Sequence, residues 1–307
     1  MPTDLLRELL PVVEGNLDRH LRTAQEWMPH VYVPWDRGRD YVRNPWEREQ
    51  SPYSAAVQAA VEINLLTEDN LPSYHLEIAR RFGLDDAWGT WVHRWTAEEG
   101  RHAMALRDYL LVARGVDPDR LERQRMATVQ CGYSAGDKSV PASLAYVSLQ
   151  ELATRISHRN TGRLGGDPGL EALLGRVAAD ENLHMIFYRS LVDAALEISP
   201  SDTVAAICQE IIDFRMPGTA VPGYRLKAMR VVGAGIYNLT IHLDDVVRPL
   251  IRHWRVFRRT DLNGEAEAAR ERLAATLRRL AADAERQAEL FARGQDAGVS
   301  VPPPTSA

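Results

Sequence analysis

The chain has 307 residues, 45% hydrophobic and 26% charged, with 37 basic against 42 acidic side chains. That supplies ample apolar material for a core, and a net charge of −5 argues against a nucleic-acid binder, which needs a basic surface to displace counterions. No apolar run reaches the roughly 18 residues that cross a bilayer, MPTDLLRELLPVVEGN has acids within its apolar stretch and no small-residue cleavage site, and Cys131 and Cys208 are too few for a thiolate cluster or a disulfide framework; a soluble cytoplasmic protein is expected.

In chain order, prolines and aromatics make 28–50 a loop-rich stretch. Helical periodicity then predicts long helices over about 52–81 and 85–114, the second marked by Trp88, Trp91 and Trp95. A shorter helix is expected near 119–132, and long ones over 140–163 and 167–195. Shorter ones follow near 200–215, 223–233 and 241–255. Gly264 and the LNGE turn set off a last helix over 264–292, with apolar residues from Ala269 to Phe291 at helical steps. The segment SVPPPTSA reads as a disordered tail. Strand-like alternation is missing, so the expected fold is all-α, and four long helices joined by turns suggest a bundle. Residues 1–260 are read as the functional domain and 261–307 as a C-terminal extension.

Within the four long helices one pattern occurs twice. The second contains Glu99-Gly-Arg-His102 and the fourth Glu181-Asn-Leu-His184. Each Glu-x-x-His puts a carboxylate and an imidazole on one helix face. The first helix contributes Glu68 and the third Glu151, so Glu…Glu-x-x-His repeats at an offset of 83 and 82 residues. Two iron ions about 3.5–4 Å apart need this donor set: carboxylates offset and bridge the charge, and neutral imidazoles complete the coordination. It is the ligand set of ferritin-like dinuclear bundles, with Glu68, Glu99, His102, Glu151, Glu181 and His184 as candidate ligands. Glu98 and Asp180 stand four residues before each histidine and could also approach metal. Asp180 is the better candidate for the carboxylate that takes a ligand histidine's other N–H.

The wording around these positions, LLTEDNLPSYH, RWTAEEGRHAMALRDYL, SLQELATRISHRNTG and AADENLHMIFYR, resembles the soluble acyl-ACP desaturases. The mycobacterial and actinobacterial branch is nearest in wording and the plant stearoyl-ACP enzymes more distant. The resemblance runs from about residue 5 to 260, and all six ligand positions match. It implies a homodimer whose helical subunits each hold a di-iron centre, reduced by a ferredoxin-type donor, that uses O2 to desaturate an acyl chain on acyl carrier protein. It also implies that Thr154 lies beside the oxygen-binding face, and that Trp27 relays electrons towards a ligand histidine through Asp180. An ordinary back-bonded threonine and a structural tryptophan are the alternatives. The chain departs from the plant pattern at Asn182 and Leu183, where basic residues stand, and in its C-terminal helix.

The glycine-rich 162–169 and Gly233-Ala-Gly235 lack the context of phosphate or dinucleotide loops. His75, His93 and His158 are spare histidines read as packing or outer residues. Arg225, Lys227 and Arg230, with Arg248, Arg252, Arg255, Arg258 and Arg259, could steer an acidic carrier. The alternatives are a di-iron hydroxylase or oxidase of a carrier-bound intermediate, and a non-enzymatic ferritin-like iron-binding protein.

Overall fold

The computed structural model describes residues 2–296, so SVPPPTSA lies outside the described residues. In chain order the α-helices are α1 (Pro2–Thr23), α2 (Pro29–Tyr32), α3 (Ala55–Glu68), α4 (Leu71–Phe82), α5 (Asp86–Val112), α6 (Pro118–Cys131), α7 (Val140–Leu164), α8 (Pro168–Ile198), α9 (Pro200–Ile212), α10 (Tyr224–Gly233), α11 (Leu239–Ile241), α12 (Arg248–His253) and α13 (Gly264–Asp296). A π-helical turn, His242–Val247, joins α11 to α12. No strand occurs among the described residues. The fold is all-α, with a ferritin-like bundle and additional helices.

Local chemistry sets several helix starts. Ser54 and Ser139 accept from Val57 and Ala142 backbone N–H groups at the heads of α3 and α7. Asp117 and Asp167 cap α6 and α8, each followed by proline, whose missing N–H costs nothing in a first turn. Within 28–50 only α2 and two 3₁₀ turns form.

One expected helix is two. The segment 52–81 breaks after Glu68, with α4 restarting at Leu71. Pro72 has no N–H to give the Glu68 carbonyl, so continuous helix hydrogen bonding fails there. The break leaves Glu68 as the last residue of α3. The helix α1 has no counterpart among the expected elements; it runs through Pro11 and buries Leu9 and Val13.

The bundle is a ring in which α3 packs on α5 and α7, and α8 closes the square against both. The α7–α8 pair is the most extensive helix contact. Around the square lie α1 on α8 and α5, α4 on α5, α10 on α3, and α9 on α7. The C-terminal α13 packs on α9, and Ala266, Ala269 and Leu273 join the core that holds Trp91, Leu149 and Tyr188. A second core centres on Leu65, Leu106, Tyr109 and Leu173.

The start of α5 has no room for a side chain at Gly89, whose added Cβ would run into the Leu84 backbone carbonyl. Backbone cannot swing aside as a side chain can. Gly89→Ala is therefore expected to destabilise the protein by about 1–3 kcal/mol; unchanged chemical unfolding of the variant would contradict this.

Candidate metal centre

Four carboxylates and two imidazoles converge inside the square. Glu68 comes from the end of α3, Glu99 and His102 from α5, Glu151 from α7, and Glu181 and His184 from α8. All six are buried. Their donor atoms form two groups, each lying within 4.8 Å: Glu68, Glu99, His102 and Glu181, then Glu99, Glu151, Glu181 and His184. Glu99 and Glu181 belong to both. Each group thus has one carboxylate and one imidazole of its own, and the two share a carboxylate pair.

The histidines aim the same nitrogen inward. His102 Nδ1 lies 3.7 Å from Glu99 and 3.5 Å from Glu181. His184 Nδ1 lies 2.8 Å from Glu99 and 3.7 Å from Glu151. Both Nδ1 atoms, and one oxygen each of Glu99, Glu151 and Glu181, are buried without a well-aligned hydrogen bond among the described residues, although His184 Nδ1 and Glu99 approach to 2.8 Å. Buried polar atoms are rarely left so, and a converging set of them fits a missing cation. Four buried carboxylates repel one another, and two divalent cations would balance their charge.

The electrostatics show the strain of that packing. Burial first, then the neighbouring carboxylates, push Glu68 and Glu151 well above the ordinary carboxylate range. Burial also opposes ionisation of Glu99 and Glu181, but the histidines help hold both below that range. His102 and His184 would be lowered by burial alone; the carboxylates around them outweigh it and raise both well above 6.5.

The outward nitrogens carry a second layer. His102 Nε2 lies 3.3 Å from Asp180, whose same oxygen accepts from Trp27 Nε1 at 2.7 Å and Arg101 at 2.9 Å. Arg176 holds the other oxygen of Asp180. On the opposite side, His184 Nε2 lies 2.9 Å from Glu98. Glu98 and Asp180 therefore sit behind the histidines, and neither belongs to the two four-donor groups. The buried Trp27 stacks near His102, with ring centroids 6.3 Å apart, beneath the Arg101 guanidinium. Trp95 Nε1 donates to Glu151 at 3.1 Å.

Thr154 makes the back-bond of an ordinary mid-helix threonine and one contact besides. Its hydroxyl bonds back to the Gln150 and Glu151 carbonyls, and it also lies 3.2 Å from Glu181 Oε2. His158 is closer to the cluster than a packing residue need be: Nε2 is 3.4 Å from Glu68, and Nδ1 faces the Asn64 amide at 3.3 Å. Burial lowers its pKa to about 4. His75 instead bonds Thr96 and stacks near an exposed His93, outside both groups. Lys227, grouped with the basic residues that could meet a carrier, is buried and pairs with Glu62 at 3.0 Å. Arg225, Arg252, Arg255 and Arg258 are exposed.

A mostly apolar cavity of about 210 Å³ opens against one side of the cluster. Glu68, Glu99, Thr154 and His158 form part of its wall; Leu71, Phe82 and Val147 supply hydrocarbon. A chain lying there would pass the carboxylate cluster on the side where Thr154 stands.

The family model described as fatty acid desaturase matches residues 2–300. The Mycobacterium tuberculosis protein named acyl-[acyl-carrier-protein] desaturase DesA1 is 48% identical over 287 residues, covering 90% of this chain and 85% of its own. The chain belongs to the acyl-ACP desaturase family. Another member of that family, the Arabidopsis thaliana chloroplast protein named stearoyl-[acyl-carrier-protein] 9-desaturase 6, is 31% identical over 306 residues, 92% of this chain and 76% of its own. The X-ray structure of the M. tuberculosis protein DesA2 matches with a TM-score of 0.71 at 32% identity, covering 87% of this chain and 99% of that one. No helix among the described residues is long and apolar enough to cross a membrane.

Sequence reasoning missed His20, Arg94, Arg101, Arg176 and Trp95. Arg94 and Arg176 were legible, because each precedes its acid by four positions on a helix, and Arg101 lies inside Glu-x-x-His itself. His20 has no such signal, since it arrives from a helix outside the bundle.

Proposed function

We propose that this chain desaturates a saturated acyl chain carried on acyl carrier protein, using O2 at a di-iron centre, in fatty acid biosynthesis. The observation that carries the reading is the pair of donor groups sharing Glu99 and Glu181 against an apolar cavity, in a member of this family. Glu68 and His102 would hold one iron, Glu151 and His184 the other, with Glu99 and Glu181 between them. When bound, the iron pair supplies the reduction of O2 and the oxidising power to remove hydrogen from an unactivated methylene.

The chain's own residues do the rest. Asp180 and Glu98, accepting from Nε2, leave each Nδ1 lone pair free for metal. Trp95 fixes the Glu151 carboxylate. Thr154, at the cavity wall with its hydroxyl 3.2 Å from Glu181, holds a transferable proton at Oγ1 beside that carboxylate. Trp27, Asp180 and His102 form a hydrogen-bonded line into the centre, which supports an electron path from a ferredoxin-type donor. The apolar wall excludes water and sets which methylene meets the metal, because methylenes offer no polar handle. The resemblance also carries the reading of a homodimer.

The test is a panel of acyl-ACP substrates of different lengths, with iron content and product mass measured together. Desaturation gives a product lighter by two hydrogens. A product heavier by one oxygen would make the chain a hydroxylase, and oxygen uptake indifferent to every substrate would leave an iron-handling protein.

A further inference from the structure

The carboxylate behind His184 is held in an arrangement that mirrors the one behind His102. Asp180 is bound by Arg176, four residues earlier on α8, and by Trp27, which follows α1. Glu98 is bound by Arg94, four residues earlier on α5, with Nε at 2.7 Å from Oε1. Its Oε2 lies 3.0 Å from Nε2 of His20, near the end of α1, and 2.9 Å from Nε2 of His184. The internal repeat therefore extends beyond the ligands to Arg-x-x-x-acid-Glu-x-x-His, and in both halves the residue that completes the outer layer comes from the N-terminal segment.

His20 is buried, and its ring lies near parallel to that of His184, with centroids 5.9 Å apart. Trp91 stands edge-on to both rings, at 5.0 and 6.0 Å, leaving little room for either to turn. We propose that His20 is a positioning residue for the metal centre: with Arg94 it pins Glu98, and Glu98 sets the orientation and tautomer of His184. Both imidazoles donate Nε2–H to one carboxylate oxygen, so Nδ1 is the His184 nitrogen turned to Glu99 and Glu151, the one a metal would take in place of a proton.

The trio His20, Glu98 and His184 also has the spacing of a metal site. Arg94 argues against that use, because its guanidinium lies 2.6 Å from the other oxygen of Glu98 and would repel a cation there. The trio works as hydrogen-bonded support. Pinning Glu98 from two sides removes the rotamer freedom that a long carboxylate would otherwise lose on metal binding.

The inference rests on the proposed metal centre, and the experiment separates the two. Full-length metal-free wild type, His20→Leu and His20→Gln proteins are titrated with Co(II) against a competing chelator, following the ligand-field spectrum. Leucine removes the donor, whereas glutamine places an amide N–H near the same point. His20→Leu is expected to weaken one of two Co(II) ions about tenfold, within the 10–100-fold range for outer partners, and to change its spectrum; His20→Gln restores both. Wild-type affinity and spectrum in His20→Leu overturn the proposal, as does equal impairment in His20→Gln, which would make His20 a packing residue. Wild-type protein that binds no Co(II) overturns the metal centre itself.

Discussion

Glu151→Ala protein is expected to lose iron and desaturation together. Glu151 is 1% exposed on α7 and belongs to one donor group only, so no other carboxylate replaces it. Its loss removes the carboxyl group facing His184 Nδ1 and leaves the Trp95 N–H without its acceptor. Turnover should fall by about 10³ or more, beyond the 10–100-fold that loss of an outer partner costs. Iron per chain should fall in parallel. Metal analysis and product analysis on the same preparation make the check, and full turnover by iron-depleted Glu151→Ala protein would reject Glu151 as a ligand.

Metal-free protein is expected to lose stability as pH rises above neutrality, while loaded protein keeps it. His102 and His184 are the main cause, since carboxylates around both rings overcome burial and hold them well above 6.5. A group whose folded pKa is raised contributes stability that is complete below its unfolded value and lost as pH climbs through the folded one. Glu68 and Glu151, raised well above 4.5 chiefly by burial, act with the same sign because the folded state binds their protons more tightly. Glu99 and Glu181 are lowered; their opposite contribution is complete above 4.5 and stays flat in this window. His158, pushed down to about 4, is neutral folded or unfolded at alkaline pH. The melting temperature without metal should therefore fall as pH rises above about 6.5. Bound metal takes the place of those protons, so the loaded curve should be nearly level. A metal-free melting temperature that holds or climbs over that range would refute this reading of the buried cluster.

The four ligand-bearing helices were legible because period and pattern agree along their length. Glu-x-x-His is local, so its face could be read from spacing, and its repetition tied α5 to α8. The break after Glu68 was harder to read, since the apolar pattern continues across LTEDNLPSYH while Pro72 removes a backbone donor. The N-terminal helix has acids among its apolar residues and a proline within it, which obscure its periodicity. The outer layer was half visible. Asp180 could be placed behind a histidine from its position on α8, but Glu98 stands equally near the ligand face in sequence, and the packing of α1, together with Arg94, fixes where it turns. His158 lies seven residues after Glu151, two turns along α7, a spacing that puts it on the ligand face. The cavity could not be read from spacing, because its wall draws on α3, α4, α5, α7 and α10.

The supports from the N-terminal segment bear on any attempt to transplant this centre. A minimal scaffold cut to residues 55–198 would retain every candidate ligand and still omit both His20 and Trp27. Such a graft would reproduce the chelating residues without two of the braces that stiffen them. A designer copying the centre should carry the preceding rod along, or build substitutes that brace Glu98 and Asp180 from behind.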